Sequence, residues 1–339
     1  MPTIATVIRI FGEVALLFWG IDMAKVGMQR AFGSDVRWMI TSGLKNRLWA
    51  FTSGAAVGVL LPSSTAIALM LASVTTTGLA DLVLALAVML GANFGATLIL
   101  QIVSLDVLSA FPFLIFGGFI AVRRGPSSRV RDLGQASIGL GLMLLALKLL
   151  AGTMAPSELT LLLKNVFASS NRALLVVLTG VFAWLVHSSV ATLYLIMSLT
   201  TAGVITGGSA LAMVLGANIG AASNVLRLGT DRDPSRRRLS IGNLGLCLFG
   251  SAVALPLIDP VTLALSGLEA QPARLIANFH TFFNIFVAVA SILLLPWLAV
   301  SIQKLFPDRV RKPAAGGRST LIRKFSIRRR WPWLIRFAK

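Results

Sequence analysis

The chain has 339 residues, 56% of them hydrophobic and 13% charged, where an ordinary soluble domain is roughly 45–50% apolar and about 25% charged. One cysteine excludes an internal disulfide framework, and with two histidines it leaves too few soft ligands for a dedicated transition-metal site. The formal net charge of +19 lies between apolar runs and in the last residues, which reads as cytoplasmic positive charge on a membrane protein rather than a nucleic-acid surface.

Taken in chain order, the first apolar run, 7–28, contains Glu13 and Asp22 and has no small-residue cleavage pattern. It reads as a retained first span, not a signal peptide. A loop over 29–47 follows, with Arg30, Arg37, Lys45 and Arg47 against Asp35, and is expected on the cytoplasmic side. Residues 48–76 must then leave and return on that side, as a re-entrant hairpin. The run 79–103 goes out and 107–122 comes in, to a basic loop at 123–131 carrying Arg123, Arg124, Arg129 and Arg131. The next span, 133–155, goes out. The segment 156–172 has no basic cluster and is expected outside. A second hairpin at 173–200 enters from that side, 203–228 comes in, and the loop 227–238 again holds an arginine cluster. Spans 239–258 and 274–302 complete the path. The tail 304–339 holds twelve Lys and Arg against Asp308. Leu133–Leu150 carries only Lys148 as a charge, and Leu239–Ile258 carries none. Hydrocarbon about 30 Å thick needs roughly 20 such residues per helical span. Continuous runs of this kind exclude a transmembrane barrel, whose strands alternate.

The chain contains itself twice. A shift of 125 residues places Leu60–Ala96 on Leu185–Ala221 without a gap, with 17 of 37 positions identical. The identities include Ser63/Ser188, Ser64/Ser189, Ser73/Ser198, Thr76/Thr201, and the blocks Leu90-Gly91-Ala92-Asn93 and Leu215-Gly216-Ala217-Asn218. Shared apolar composition does not put serines, threonines, glycines and asparagines in register. Duplication in a membrane chain points to a transporter. With the loop charges it predicts an all-α polytopic membrane protein of two inverted-topology repeats, each with a re-entrant helical hairpin and a discontinuous helix. The expected organisation is repeat 1 over 1–124, a basic cytoplasmic connector at 125–132, repeat 2 over 133–303, and a basic cytoplasmic tail at 304–339.

Each hairpin is interrupted, at Pro62-Ser63-Ser64-Thr65 and at His187-Ser188-Ser189-Val190. Proline breaks a helix interior, and hydroxyls satisfy backbone groups freed at a break. Such breaks at membrane depth survive only inside protein or around a wet cavity. Half-helix starts attract an anion, and the hydroxyls Ser63, Ser64, Thr65, Ser188, Ser189 and Thr192 are its candidate partners. Freed carbonyls, Asn93 and Asn218, with Ser73, Thr76, Ser198 and Thr201, suit a small hard cation such as Na+. The glycines flanking each Asn allow either a close helix approach or an unwound turn. His187 beside Ser188 has no acid nearby in sequence, and its counterpart is Pro62, so nucleophilic catalysis is not expected. His280 and Asn284 lie one helical turn apart and are accessory candidates. Glu13, without an evident local partner, is a further accessory candidate for ion or proton coupling. Asp22 and Lys25 are placed to pair with each other. Trp331 and Trp333 beside Arg328–Arg330 suit an anionic leaflet.

These residues resemble the sodium-dependent phosphate cotransporters, the type II Na+/Pi group with its bacterial relatives. That family duplicates a Gln-Ser-Ser-Ser-Ala-Thr-Thr element, each copy followed by Gly-Ala-Asn-Ile-Gly-Thr-Thr. Here PSSTAIA at 62–68 precedes GANFGAT at 91–97, and HSSVATL at 187–193 precedes GANIGAA at 216–222. Phe18-Trp19-Gly20 and the stretch Ala277–Asn284 are similar as well, so the likeness covers about residues 10–300. The resemblance implies phosphate as the anion, Na+ as the coupling ion with no other cofactor, and an inner-membrane location with a cytoplasmic C-terminus. It leaves homo-oligomerisation open. Pro62 and His187 replace both family glutamines, and Val190, Ala221 and Ala222 replace further polar positions. A different anion, proton coupling, or a non-transporting sensor or scaffold are the competing readings.

Overall fold

An apolar chain in hydrocarbon has no partner for its peptide groups except itself, and the helix satisfies them within one segment. The computed structural model describes residues 4–61, 63–76, 81–104, 107–153, 158–228, 234–268 and 271–307, and among these the chain is helical with no strand. The helices are α1 (Ile4–Gly43), α2 (Arg47–Leu60), α3 (Ser64–Thr76), α4 (Leu82–Val103), α5 (Phe111–Arg124), α6 (Ser128–Thr153) and α7 (Glu158–Ser169). They continue with α8 (Arg172–Val186), α9 (Ser189–Thr201), α10 (Gly207–Leu228), α11 (Pro234–Ala254), α12 (Ile258–Leu268), α13 (Pro272–Ile292) and α14 (Leu295–Leu305). Among the described residues six stretches are long and apolar enough to cross a membrane: α1, α4, α6, α10, α11 with α12, and α13. This is a multi-pass membrane protein.

The repeat seen in sequence recurs in the helix boundaries. Helices α2, α3 and α4 begin at 47, 64 and 82, and α8, α9 and α10 begin 125 residues later, at 172, 189 and 207. Within each trio the first and third helices pack in parallel. A Cβ on Gly91 would meet the Phe51 carbonyl oxygen at 2.0 Å and one on Gly95 the Ala55 oxygen at 2.0 Å. In the other trio Gly216 faces the Val176 oxygen and Gly220 the Gly180 oxygen, both at 2.3 Å. No side chain fits at these four crossings, so glycine is obligatory. The two asparagine elements therefore sit in unbroken helices: close approach is the role of their glycines, and neither the unwound turn nor a discontinuous helix is found there.

Two groups of helix ends are tied by polar contacts. In one, Arg129 at the start of α6 pairs with Asp35 at 2.5 Å, Arg47 at the start of α2 donates to the Ile292 carbonyl at 3.4 Å, and Arg238 donates to the Phe306 carbonyl at 2.7 Å. In the other, Thr153 donates to Glu13 at 2.7 Å, Gln101 donates to Asn278 and Thr281 at 3.0 Å each, and Arg172 forms a two-point pair with Asp259.

Three boundaries differ from the sequence reading. Residues 29–43 are helical, not a loop, so α1 runs unbroken over 40 residues, about 60 Å at 1.5 Å per residue. Arg30 and Arg37 line an exposed face while Val36 and Ile40, one turn apart, are fully buried. The charges mark a helix leaving the apolar layer, not the end of a helix. The expected connector is helical from Ser128 onward, because α6 starts there. The last span is α13 and α14 joined by a turn at 293–294, with Pro296 in the first turn of α14. The tail beyond 307, with its tryptophans and arginines, lies outside the described residues.

Candidate functional site

The site is built where the two short helices α3 and α9 begin. Ser188 has extended backbone and caps α9, its Oγ accepting from the Ala191 N–H at 3.2 Å. Ser63 does the same for α3, accepting from the Ala66 N–H at 3.4 Å. Each cap satisfies one of the four N–H groups that a helix start leaves open. His187 ends α8 in the left-handed region, at φ 57°, and turns the chain into Ser188. Its Nδ1 lies 2.8 Å from the Leu185 carbonyl. Pro62, its counterpart, lies outside the described residues.

Two adjoining cavities meet at these starts. One, of ≈ 20 Å³, is lined by Ser64, Asn93, Ser189, Asn218, Asn243 and His280 among others. The second, also of ≈ 20 Å³, shares Ser64, Ser189 and Ala221 and adds Lys25, Ser63, Thr65, His187, Ser188 and Asn224. Residues from both repeats thus line one polar space. Ser64 donates to Asn93 Oδ1 at 3.2 Å, and Asn93 Nδ2 donates to Asn243 Oδ1 at 3.3 Å. Asn218 is held differently. Its Nδ2 donates to the Val214 carbonyl at 3.0 Å, which leaves Oδ1 to accept from His280 Nε2 at 3.2 Å. A neutral His280 with its proton on Nε2 presents a bare Nδ1, and that buried nitrogen has no partner.

Other sequence-predicted residues fall elsewhere. Thr192 Oγ1 donates to the Ser188 carbonyl at 2.9 Å and lines neither cavity. Ser73 donates to the Met70 carbonyl at 2.6 Å. The side chain of Thr76 lies outside the described set. Ser198 and Thr201 are at the far end of α9, in a mostly apolar third cavity of ≈ 200 Å³ with Tyr194 and Met197; nine residues of helix, about 13 Å, separate Ser198 from Ser189. Asn284 donates to the His280 carbonyl at 2.8 Å, one turn back on its own helix. Glu13 does have local partners, Arg9 at 3.1 Å and Thr153 at 2.7 Å, and stands twelve residues from Lys25, about 18 Å along α1.

Three site residues escaped the sequence. Lys25 does not pair with Asp22; its Nζ donates to Ser188 Oγ at 2.7 Å. Asn224 and Asn243 line the cavities from α10 and α11. At the repeat offset these three correspond to Leu150, Ile99 and Gly118, so duplication gave no signal for them. Among the described residues no group of three or more His, Cys, Asp or Glu is placed to hold a metal ion.

The chain is 32% identical over 289 residues to the "Putative inorganic phosphate export protein YjbB" of Salmonella typhimurium, covering 85% of this chain and 53% of that protein. The protein of the same name in Escherichia coli K12 is 32% identical over 295 residues, covering 86% and 54%. The chain therefore spans about half the length of these relatives. The "Uncharacterized protein YqeW" of Bacillus subtilis is 24% identical over 283 residues, 82% of this chain and 90% of that one. No solved structure matches the chain. The Na+/Pi-cotransporter family matches twice in succession, over 16–152 and 153–267, as a duplicated chain requires. Two family matches that together span most of the sequence, around one serine- and asparagine-lined space, place this chain in the Na+/Pi-cotransporter family.

Proposed function

We propose that this chain is a secondary transporter that carries inorganic phosphate across the membrane together with Na+, by alternating access. The observation that carries the proposal is the convergence of Ser63, Ser64, Ser188 and Ser189, at two helix starts, on one space shared by both repeats. Helix starts and hydroxyls favour an oxyanion. The carbonyl-type oxygens of Asn93, Asn218 and Asn243 favour a hard cation beside it. Cotransported cations offset the charge that phosphate brings into a low-dielectric interior, where an uncompensated ion costs several kcal/mol or more. The printed names of the Salmonella and Escherichia relatives, which refer to phosphate export, support phosphate as the substrate class.

In this reading the two hairpins, α2–α3 and α8–α9, are re-entrant and enter from opposite faces. Parallel packing of α2 with α4 and of α8 with α10 supports it, because α3 and α9 must then carry the chain back. The distribution of contacts supports it too, since Arg47 belongs to one group of tied helix ends and Arg172 to the other. The α1–α6 junction and the tail lie in the cytoplasm, the tail against anionic lipid, and the membrane is the cell's inner membrane. The test is uptake of radiolabelled phosphate into liposomes holding the full chain. A Na+ gradient should drive uptake and an equal choline gradient should not. Equal uptake under both refutes sodium coupling, and no uptake under either refutes phosphate transport.

A further inference from the structure

Lys25 is the one fixed charge lining either cavity among the described residues, and the duplication does not explain it. Its Nζ lies 2.7 Å from Ser188 Oγ, at the start of α9. That oxygen already accepts from the Ala191 N–H. With two donors on the oxygen, the hydroxyl proton of Ser188 is left to be given to a third group. Asp22, one turn earlier on α1, is exposed and outside ion-pair distance of Lys25, acting on it only at longer range. Among the described residues the ammonium therefore has no carboxylate partner within reach, and a half-buried cation without one calls for an anion. The same cavity holds a second unmatched group. Asn224 is 3% exposed and its Nδ2 donates to the Ala183 carbonyl at 3.2 Å, so its oxygen is the end left over. That buried Oδ1 has no partner.

We infer that Lys25 is a resident anion-binding charge, and that with Asn224 it selects an oxyanion that still carries a proton. The inference rests on the proposed function and deepens it. The ammonium and the Ser188 hydroxyl hold two anionic oxygens, and the Asn224 oxygen accepts the P–OH proton of hydrogen phosphate. Sulfate, fully deprotonated at neutral pH, has no proton to give and meets that oxygen as a repulsive contact. Failure to satisfy a buried polar group is how such sites reject an analogue. Lys25 also changes the ion count. With one positive charge built into the site, hydrogen phosphate with charge −2 needs one mobile cation for a neutral load, not two. At the repeat offset the position is Leu150, fully buried, so this charge acts from one half of the molecule only.

The experiment measures phosphate and sulfate binding to the full purified chain at saturating Na+, with Lys25→Arg, Lys25→Gln and Asn224→Ala beside the wild type. Arg keeps the charge, whereas Gln keeps a hydrogen-bond donor for Ser188 and loses the charge. Lys25→Gln should weaken phosphate binding at least tenfold, and Lys25→Arg by less than threefold. Asn224→Ala should narrow the preference for phosphate over sulfate at least fivefold. Each variant is scored only on its folded fraction by size exclusion. A Gln variant that binds phosphate as the wild type does overturns the role of Lys25 and leaves phosphate transport standing. So does loss of binding in both the Gln and Arg variants, which would make Lys25 a packing residue. An unchanged preference for phosphate over sulfate in Asn224→Ala overturns the selectivity. Wild-type protein that binds no phosphate at any Na+ concentration overturns both this inference and the proposed function.

Discussion

Gly91→Ala tests whether the asparagine helices owe their position to backbone contact. The new Cβ would lie 2.0 Å from the Phe51 carbonyl oxygen and 2.8 Å from the Ala55 nitrogen. An ordinary carbon–oxygen contact needs about 3.3 Å, so α2 and α4 must separate locally by about 1.3 Å. Both neighbours are backbone and cannot swing aside. Overpacking of this kind costs about 1–3 kcal/mol. Asn93 is two residues further along α4, and its 3.2 Å bond from Ser64 does not survive a shift of that size. The matched control is Gly245→Ala in α11, where nothing lies within 4 Å of the added carbon and helix propensity improves by up to about 1 kcal/mol. Thermal unfolding in detergent and Na+-driven phosphate uptake should rank the proteins in one order, with Gly245→Ala at or above wild type and Gly91→Ala well below. Should Gly91→Ala unfold and transport as Gly245→Ala does, the close crossing does not set the site geometry.

Ser64→Ala and Ser189→Ala should each reduce phosphate binding about tenfold or more, the loss expected for a hydrogen bond to a charged group, with the folded fraction unchanged by size exclusion. In a Cys247→Ala background, cysteine at Ser169 should label with an impermeant thiol reagent in intact cells while cysteine at Ser127 is protected; the reverse pattern inverts the topology. His187→Gly should leave stability unchanged or raise it, because glycine tolerates φ 57°, whereas His187→Val should lower it by about 1–2 kcal/mol, read from the thermal midpoint. Pro62→Gln combined with His187→Gln restores two amide donors and should tighten Na+-dependent phosphate binding in a calorimetric titration.

The duplicated half of the site was legible because identity at a fixed offset survives any fold. Ser63, Ser64, Asn93 and their counterparts at 188, 189 and 218 all reach the shared space. The same offset left Lys25, Asn224 and Asn243 unmarked, since their equivalents are Leu150, Ile99 and Gly118. The Lys25–Ser188 contact joins positions 163 apart in sequence, and a nearby Asp22 offered a cheaper local pairing. Ser198 and Thr201 show the opposite failure: their register with Ser73 and Thr76 is genuine, yet helix rise carries them about 13 Å or more from the helix start. The end of the first helix was misplaced because Arg30, Asp35 and Arg37 look the same in a loop and on the solvated face of a long helix.

The two hairpins are moored unequally. Arg172 grips Asp259 through two hydrogen bonds between opposite charges, while Arg47, at the equivalent position, reaches a single backbone carbonyl at 3.4 Å. A perfectly symmetric carrier would spend equal time facing each side, because its two end states would be images of each other. Under the proposed alternating access, moorings of unequal strength tilt the resting population wherever each is released in only one of the two end states. Weakening the Arg172–Asp259 mooring would then move that balance without touching any residue proposed to meet the cargo. For a carrier that works as proposed, the face it rests on is then tunable at the rim of the molecule, while the gradients still set the direction of net flow, and two proteins with the same binding residues can differ in that resting face.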